Sequence, residues 1–170
     1  QEPASLTKLM TAYVVFHSLK EGRIKLGDMV TVSENAWRQA APKLGGSAMY
    51  IEVGTQVSIE NLLQGMIVQS GNDATVALAE HVAGTEATFV QMMNSFAKRL
   101  GLTGTHFTDA AGMPDPLAGL TYRRVDDDAF GLWVFRHHRA RAERDLQWAL
   151  SYWSGARSPE GTLSRGKCRA

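Results

Sequence analysis

The sequence predicts an α+β domain in which helices far outweigh strands. Apolar residues recur at helical spacing in successive stretches, each with its own start or stop residue. Only two short stretches, Ser47–Val53 and Gln56–Val57, read as strand. The length of 170 residues suits one compact core and is short for two.

Taken in order, Leu6, Leu9, Met10, Tyr13, Val14 and Phe16 predict a helix from about Ser5 to Ser18. Pro3 stands just ahead, where its missing N–H costs nothing, and Gly22 is the stop. A short stretch Ile24–Val32 follows, with turn residues Gly27 and Asp28, and residues 33–57 read as irregular apart from the two strands. Ser58 is the expected N-cap of the next helix, with Glu60 in its first turn and Leu62, Leu63, Met66 and Ile67 on its apolar face. A break at Ser70-Gly71-Asn72 precedes a helix from about Asp73 to Ala83, closed by Gly84. Thr85 caps a further helix through Phe89, Val90, Met93, Phe96 and Leu100, ended by Gly101. Turn chemistry resumes at Gly112-Met113-Pro114-Asp115-Pro116.

Beyond about Leu117 the character changes. Arg123, Arg124, Arg136, Arg139, Arg141 and Arg144 crowd together with His137-His138 and three of the four tryptophans. Helical propensity is fair from Asp126 to Tyr152, and Ser154–Ala170 reads as a loose tail rich in Gly, Ser and Arg. The expected organisation is therefore a unit over 1–116 and an unrelated tail over 117–170.

Bulk properties narrow the function. A net charge of +1 gives no global field for nucleic acid or an anionic membrane. A single cysteine, Cys168, excludes an internal disulfide, and nothing near it suggests a zinc cluster. No apolar run reaches the ~20 residues that cross a bilayer. Neither a basic n-region nor an apolar h-region is visible at Gln1, so the expectation is a chain entered part-way, without a signal peptide.

Two short constellations carry chemistry. Ser5-Leu6-Thr7-Lys8 opens an amphipathic helix, and positions three apart share a face, so the Ser5 hydroxyl and the Lys8 amine can meet. A serine is a weak nucleophile until a base takes its proton, and lysine serves as that base only when its pKa is lowered. Alone, Ser-x-x-Lys is more often a capping serine beside a solvated lysine. Ser70-Gly71-Asn72, in a turn between helices, can project a hydroxyl for proton relay and an amide for a substrate carbonyl. Alone, it is more often a turn capping the next helix through Asn72 or Asp73.

Together the two are far more specific, because Ser-x-x-Lys followed by Ser-x-Asn is the set shared by serine penicillin-recognising enzymes. Glu2-Pro3-Ala4-Ser5-Leu6-Thr7-Lys8-Leu9-Met10-Thr11-Ala12-Tyr13 resembles the nucleophile region of the low-molecular-mass D-alanyl-D-alanine carboxypeptidases (peptidase S11-like penicillin-binding proteins). Leu44-Gly45-Gly46-Ser47, Val53-Gly54-Thr55 and Gly65–Ala74 are similar to the segments before and around their second motif. Ala77–His81, Thr105-His106-Phe107 and Gly112–Pro116 continue the likeness, which runs almost unbroken from Gln1 to about Pro116.

That resemblance implies the β-lactamase/penicillin-binding transpeptidase-like fold, mostly its helical region with much of the sheet missing. It implies a serine-type carboxypeptidase in which Ser5 attacks the bond between the terminal D-alanines of a peptidoglycan stem peptide. Lys8 would accept the proton, Ser70 would relay protons, and Asn72 would position substrate. A β-lactam would be trapped at Ser5. No metal or organic cofactor and no nucleic acid is implied. The expected location is the bacterial periplasm or cell envelope, and peripheral membrane association belongs to the full-length family and not to this chain.

The third family element, Lys-Thr-Gly, is absent from the sequence, and the nearest string, Gly166-Lys167-Cys168, has neither its order nor its context. A reading-frame slip or gene fusion after Pro116 is the favoured explanation of the tail, and a divergent ending is the other. A β-lactamase of the same fold and a catalytically inactive remnant acting as a binding module are the rival readings. His137-His138 lacks the spacing of a zinc helix and reads as a solvated pair. The arginines of 123–144 read as an exposed face, Asp126-Asp127-Asp128 as an acidic first helical turn, and Met92 and Met93 as core filler.

Overall fold

A computed structural model describes residues 4–41 and 46–113. The expectations for Pro3, for Leu44-Gly45, and for everything from Pro114 onward, including His137-His138, the arginine-rich stretch and Cys168, lie outside the described residues.

After a 3-10 turn at Ala4–Leu6, helix α1 spans Thr7–Lys20. Its apolar side, Met10, Val14, Val15 and Leu19, is buried, but so are Thr7, Lys8, Thr11 and Ser18. Because polar positions are buried as well, α1 carries no clean apolar stripe. The hydroxyls of Thr11 and Ser18 are satisfied, Thr11 Oγ1 donating to the Ala110 carbonyl at 2.7 Å and Ser18 Oγ to that of Val14 at 3.0 Å. Gly22, in the left-handed region, closes α1 with the Schellman pair Arg23 N to Ser18 O and Gly22 N to Leu19 O, both 3.0 Å.

Strand β1 (Met29–Thr31) pairs antiparallel with β2 (Gln56–Ser58), with Val30 opposite Val57. Such a two-stranded ribbon is marginal alone. Here Val30 and Val32 turn inward and are nearly inaccessible. Between the strands, Ser33 caps a short helix α2 (Glu34–Arg38) by accepting from Ala36 N at 3.0 Å. The strand expected at Ser47–Val53 does not form, and the irregular reading of 33–57 missed α2. The reason for the first is that Met49 N and Ile51 N are taken by the Asp73 carboxylate at 2.8 and 3.2 Å, so the segment is held by a side chain instead of a partner strand.

Ser58 caps α3 (Ile59–Val68) by accepting from Asn61 N, and Thr85 caps α5 (Glu86–Arg99) by accepting from Thr88 N, both as expected from sequence. Gly101 ends α5 with Leu102 N to Ala97 O at 2.9 Å and Gly101 N to Lys98 O at 3.0 Å. Between them α4 (Asn72–Ala83) is the hub, packed by α1, α2, α3, α5 and β1. Every residue from Asn72 to Ala79 is buried. Small side chains at Ala74, Ala77 and Ala79 let the neighbours approach closely, and larger ones supply the bulk: Phe89 and Met93 from α5, Leu62 and Leu63 from α3, Met10 from α1.

Among the described residues no helix is long and apolar enough to cross a membrane. Phe89 is wholly buried, so Phe89→Ala is expected to lower the unfolding free energy by about 3–5 kcal/mol in denaturant melts. Val68→Ala, at a position 80 % exposed, is expected to change it by no more than about 0.5 kcal/mol in the same measurement.

Candidate active site

Ser5 lies in the 3-10 turn immediately before α1 and is exposed, whereas Lys8, in the first turn of α1, is only 6 % exposed. The helix expected to begin at Ser5 thus begins at Thr7, yet one turn still separates the two side chains. Lys8 Nζ donates to Ser5 Oγ at 3.2 Å and to the Ala111 carbonyl at 2.9 Å. Ser70 Oγ donates to Ser5 Oγ at 2.8 Å. The sequence-predicted Ser5, Lys8 and Ser70 are therefore joined in one chain of hydrogen bonds, although 65 positions separate the two serines.

Burial lowers the Lys8 pKa from its ordinary 10.5, because the ammonium form loses water, while the negative charge of Asp109 pulls in the opposite direction. A lysine so placed has a larger neutral fraction at a given pH, which is what a proton acceptor requires.

Ser70 projects from the turn before α4 with φ 57°, and Ala4, beside Ser5, has φ 47°. The left-handed region disfavours both residues by about 1–2 kcal/mol each. Asn72, the fourth expected residue, begins α4 and is 2 % exposed. Its backbone N–H donates to Ser47 O at 2.9 Å and its amide Nδ2 to Met113 Sδ at 3.0 Å. A Cβ at Gly46 would lie 2.7 Å from that Nδ2, so the loop approaches Asn72 more closely than any other residue would allow. The capping role considered for Asn72 or Asp73 is not what α4 uses. Its N-cap is Gly71, without a side-chain cap, and Asp73 reaches back to the 49–51 backbone.

Sequence reasoning missed the third wall, residues 107–113. Thr11 and Lys8 of α1 hold the carbonyls of Ala110 and Ala111. From α5, Asn94 makes a two-way pair with the Phe107 backbone at 2.8 and 2.9 Å, and Glu86 accepts from Ala110 N at 3.1 Å. Asp109 Oδ1 accepts from the backbone N–H groups of Ala111, Gly112 and Met113. Gly112, at φ 78°, passes so close to the Ala4 carbonyl that a Cβ there would overlap it. The available signal was Asp-x-x-Gly at 109–112, the pattern of a side chain gathering its own turn. Among the described residues no group of three or more His, Cys, Asp or Glu side chains could hold a metal ion.

Glu86 has its pKa raised above the ordinary 4.5, chiefly by burial, with the negative charges of Asp109 and Glu80 acting the same way and the Ala110 N–H opposing. Between 4.5 and the raised value the folded state binds the extra proton, so this group's contribution to stability falls as pH rises. Glu86→Gln keeps an acceptor for Ala110 N without the charge. It is expected to be at least as stable as the parent at pH 8, and the difference is expected to vanish below pH 4.5 in thermal melts across pH. Glu86→Ala orphans the Ala110 N–H and is expected to cost about 1–3 kcal/mol.

A family model described as D-alanyl-D-alanine carboxypeptidase (peptidase S11) matches residues 1–125. The carboxypeptidase DacC of Escherichia coli K12 is 52 % identical over 116 residues, covering 68 % of this chain and 29 % of that protein. DacA of Haemophilus influenzae is 51 % identical over 116 residues with the same coverages, 68 % and 29 %. The chain thus spans about three tenths of the length of these relatives. Among solved structures, penicillin-binding protein 5 of Haemophilus influenzae superposes with a TM-score of 0.70 at 43 % identity, over 85 % of this chain and 41 % of that one. Penicillin-binding protein 6B of Escherichia coli gives 0.64 at 47 % identity, over 69 % and 37 %. The described helices and their two-stranded sheet are accordingly a partial penicillin-binding fold, and the chain belongs to the D-alanyl-D-alanine carboxypeptidase family.

Proposed function

We propose that this chain carries the acylating centre of a serine-type D-Ala-D-Ala carboxypeptidase acting on peptidoglycan stem peptides. The observation that supports the reading is the Lys8–Ser5–Ser70 hydrogen-bond chain, in which the buried amine touches an exposed hydroxyl. Neutral Lys8 takes the Ser5 proton as Oγ attacks the carbonyl between the two terminal D-alanines. The tetrahedral intermediate collapses with cleavage of the C–N bond, Ser70 relaying the proton to the departing amine of D-alanine. Water then hydrolyses the acyl-serine ester, releasing the shortened peptide and restoring the Ser5 hydroxyl. Asn72 positions the substrate through its side-chain amide. The scheme invokes neither metal nor organic cofactor, and no nucleic acid. In a β-lactam the same attack opens the ring amide, and the product stays attached to Ser5.

The proposal extends to place and organisation. The work is that of the bacterial periplasm or envelope, where the substrate lies. Residues 1–116 carry the centre, and 117–170 are a tail of different origin. The rival readings are a remnant that binds without turning over and a β-lactamase of the same fold.

Intact-protein mass after incubation with a penicillin separates these readings. The parent is expected to gain one penicilloyl mass and Ser5→Ala none. Lys8→Arg keeps a positive charge but cannot surrender its proton, and is expected to be acylated at least about 10²-fold more slowly. Because the base works only when neutral, the parent rate is expected to rise with pH through a midpoint below 10.5. A folded parent that gains no mass would leave only the remnant. An adduct lost within seconds would point to the β-lactamase alternative.

A further inference from the structure

The chain of contacts that reaches Lys8 and Asn72 starts at a residue with no contact to Ser5 in the hydrogen-bond chain. Asp109 Oδ1 gathers the N–H groups of Ala111, Gly112 and Met113, three consecutive donors on one oxygen. The carbonyl of the first of these residues takes the Lys8 amine at 2.9 Å, and the sulfur of the third takes the Asn72 amide at 3.0 Å. We infer that Asp109 is a positioning residue of the site, its carboxylate folding the 109–113 turn so that the Ala111 carbonyl orients Lys8 while Met113 meets Asn72.

The geometry leaves little slack. Gly112 abuts the Ala4 carbonyl, so the turn cannot move toward Ser5 without collision. Ala110 is pinned on both its groups, its carbonyl by Thr11 and its N–H by Glu86. Within that frame Asp109 is the side chain that determines where the Ala111 carbonyl points. Its charge also acts directly on the amine, holding it toward the protonated form against burial. From α4 Asp73 is turned to the Met49 and Ile51 amides, and from α5 Glu86 faces Ala110 and acts on Asp109.

This inference rests on the proposed roles of Lys8 and Asn72, and its test has one arm that needs no chemistry at all. In the full chain with isotope-labelled lysine, the side-chain NMR signal of Lys8, assigned by its loss in Lys8→Arg, is titrated with pH. Asp109→Asn retains an oxygen for the three N–H groups and removes the charge, so the Lys8 midpoint is expected to move down. Asp109→Ala removes the charge and the oxygen that gathers the turn together, so its midpoint is expected to move beyond that of Asp109→Asn; equal midpoints would mean that the carboxylate acts by charge alone. The second arm is the rate of penicilloyl formation. Asp109→Ala is expected to lose on the order of 10²-fold, since small misplacements of a reacting group cost that much, and Asp109→Asn to stay within about tenfold of the parent. An unmoved Lys8 midpoint in Asp109→Asn, or a parent-like rate in a folded Asp109→Ala, would overturn the inference. A midpoint that moves in Asp109→Asn and further in Asp109→Ala, beside a parent that forms no adduct, would uphold Asp109 and remove the acylation reading instead.

Discussion

An amine in a protein core is the constraint around which the rest is arranged. Lys8 is 6 % exposed, and a buried ammonium without partners is among the most unfavourable groups a fold can hold. Two acceptors make it tolerable, one a single turn away and one remote in sequence. The Ser5 hydroxyl requires that the chain enter α1 through a tight turn with Ala4 in the left-handed region. The Ala111 carbonyl lies 103 positions further along the chain. That second contact obliges 107–113 to cross over α1, and it explains why this stretch, without regular structure, is pinned by Thr11, Glu86, Asn94 and its own Asp109. Residues that look unrelated in sequence thus serve one amine.

The opposite side of the site is fixed by a different device. α4 is buried through its first eight residues, so its N-terminus cannot rely on water for its backbone or its Asp73 carboxylate. Asp73 is instead satisfied by Met49 N, Ile51 N and Ala74 N, which straps the 46–51 segment across the start of the helix. With that strap in place Gly46 backs the Asn72 amide, and the preceding Ser70 is left in a left-handed conformation that aims its hydroxyl at Ser5. The strain at Ser70 persists because Gly71 N is bonded to Gly65 O at 3.0 Å and Asn72 N to Ser47 O at 2.9 Å, over-determining the turn.

What the sequence made legible follows from range. Caps at Ser58 and Thr85 and stops at Gly22, Gly84 and Gly101 act within a few residues, and they read correctly. The pairing of Ser5 with Lys8 follows from helical spacing alone. Ser70 joined them only because a resemblance supplied the long-range partner that spacing cannot. The contacts that were missed are those where a side chain replaces a backbone partner. Asp73 denies 47–53 its strand, and Asp109 builds a turn from three N–H groups. Periodicity carries no trace of such substitutions, since each rests on one carboxylate placed by tertiary packing. Helix α2 escaped for another reason: five residues give too little apolar spacing to register, and the cap Ser33 with the Glu34–Arg38 pair are faint local signs.

Under the proposed mechanism, activation and recognition fall to different parts of the fold. Proton transfer from Ser5 needs only α1, the start of α4 and the 109–113 turn, which share one core. Recognition of a peptide's terminal carboxylate needs a cation, and Lys8 does not serve, because its amine is committed to Ser5 and Ala111 and must be neutral when it acts. That charge must come from outside the Lys8–Ser5–Ser70 chain. Interactions made equally with substrate and transition state govern saturation, whereas those that sharpen at the reacting atoms govern the chemical step. The described residues therefore hold the groups for the chemical step, and the anchor for the carboxylate is a separate requirement. A strained β-lactam, whose reactivity does part of the work, is the ligand that depends least on that anchor.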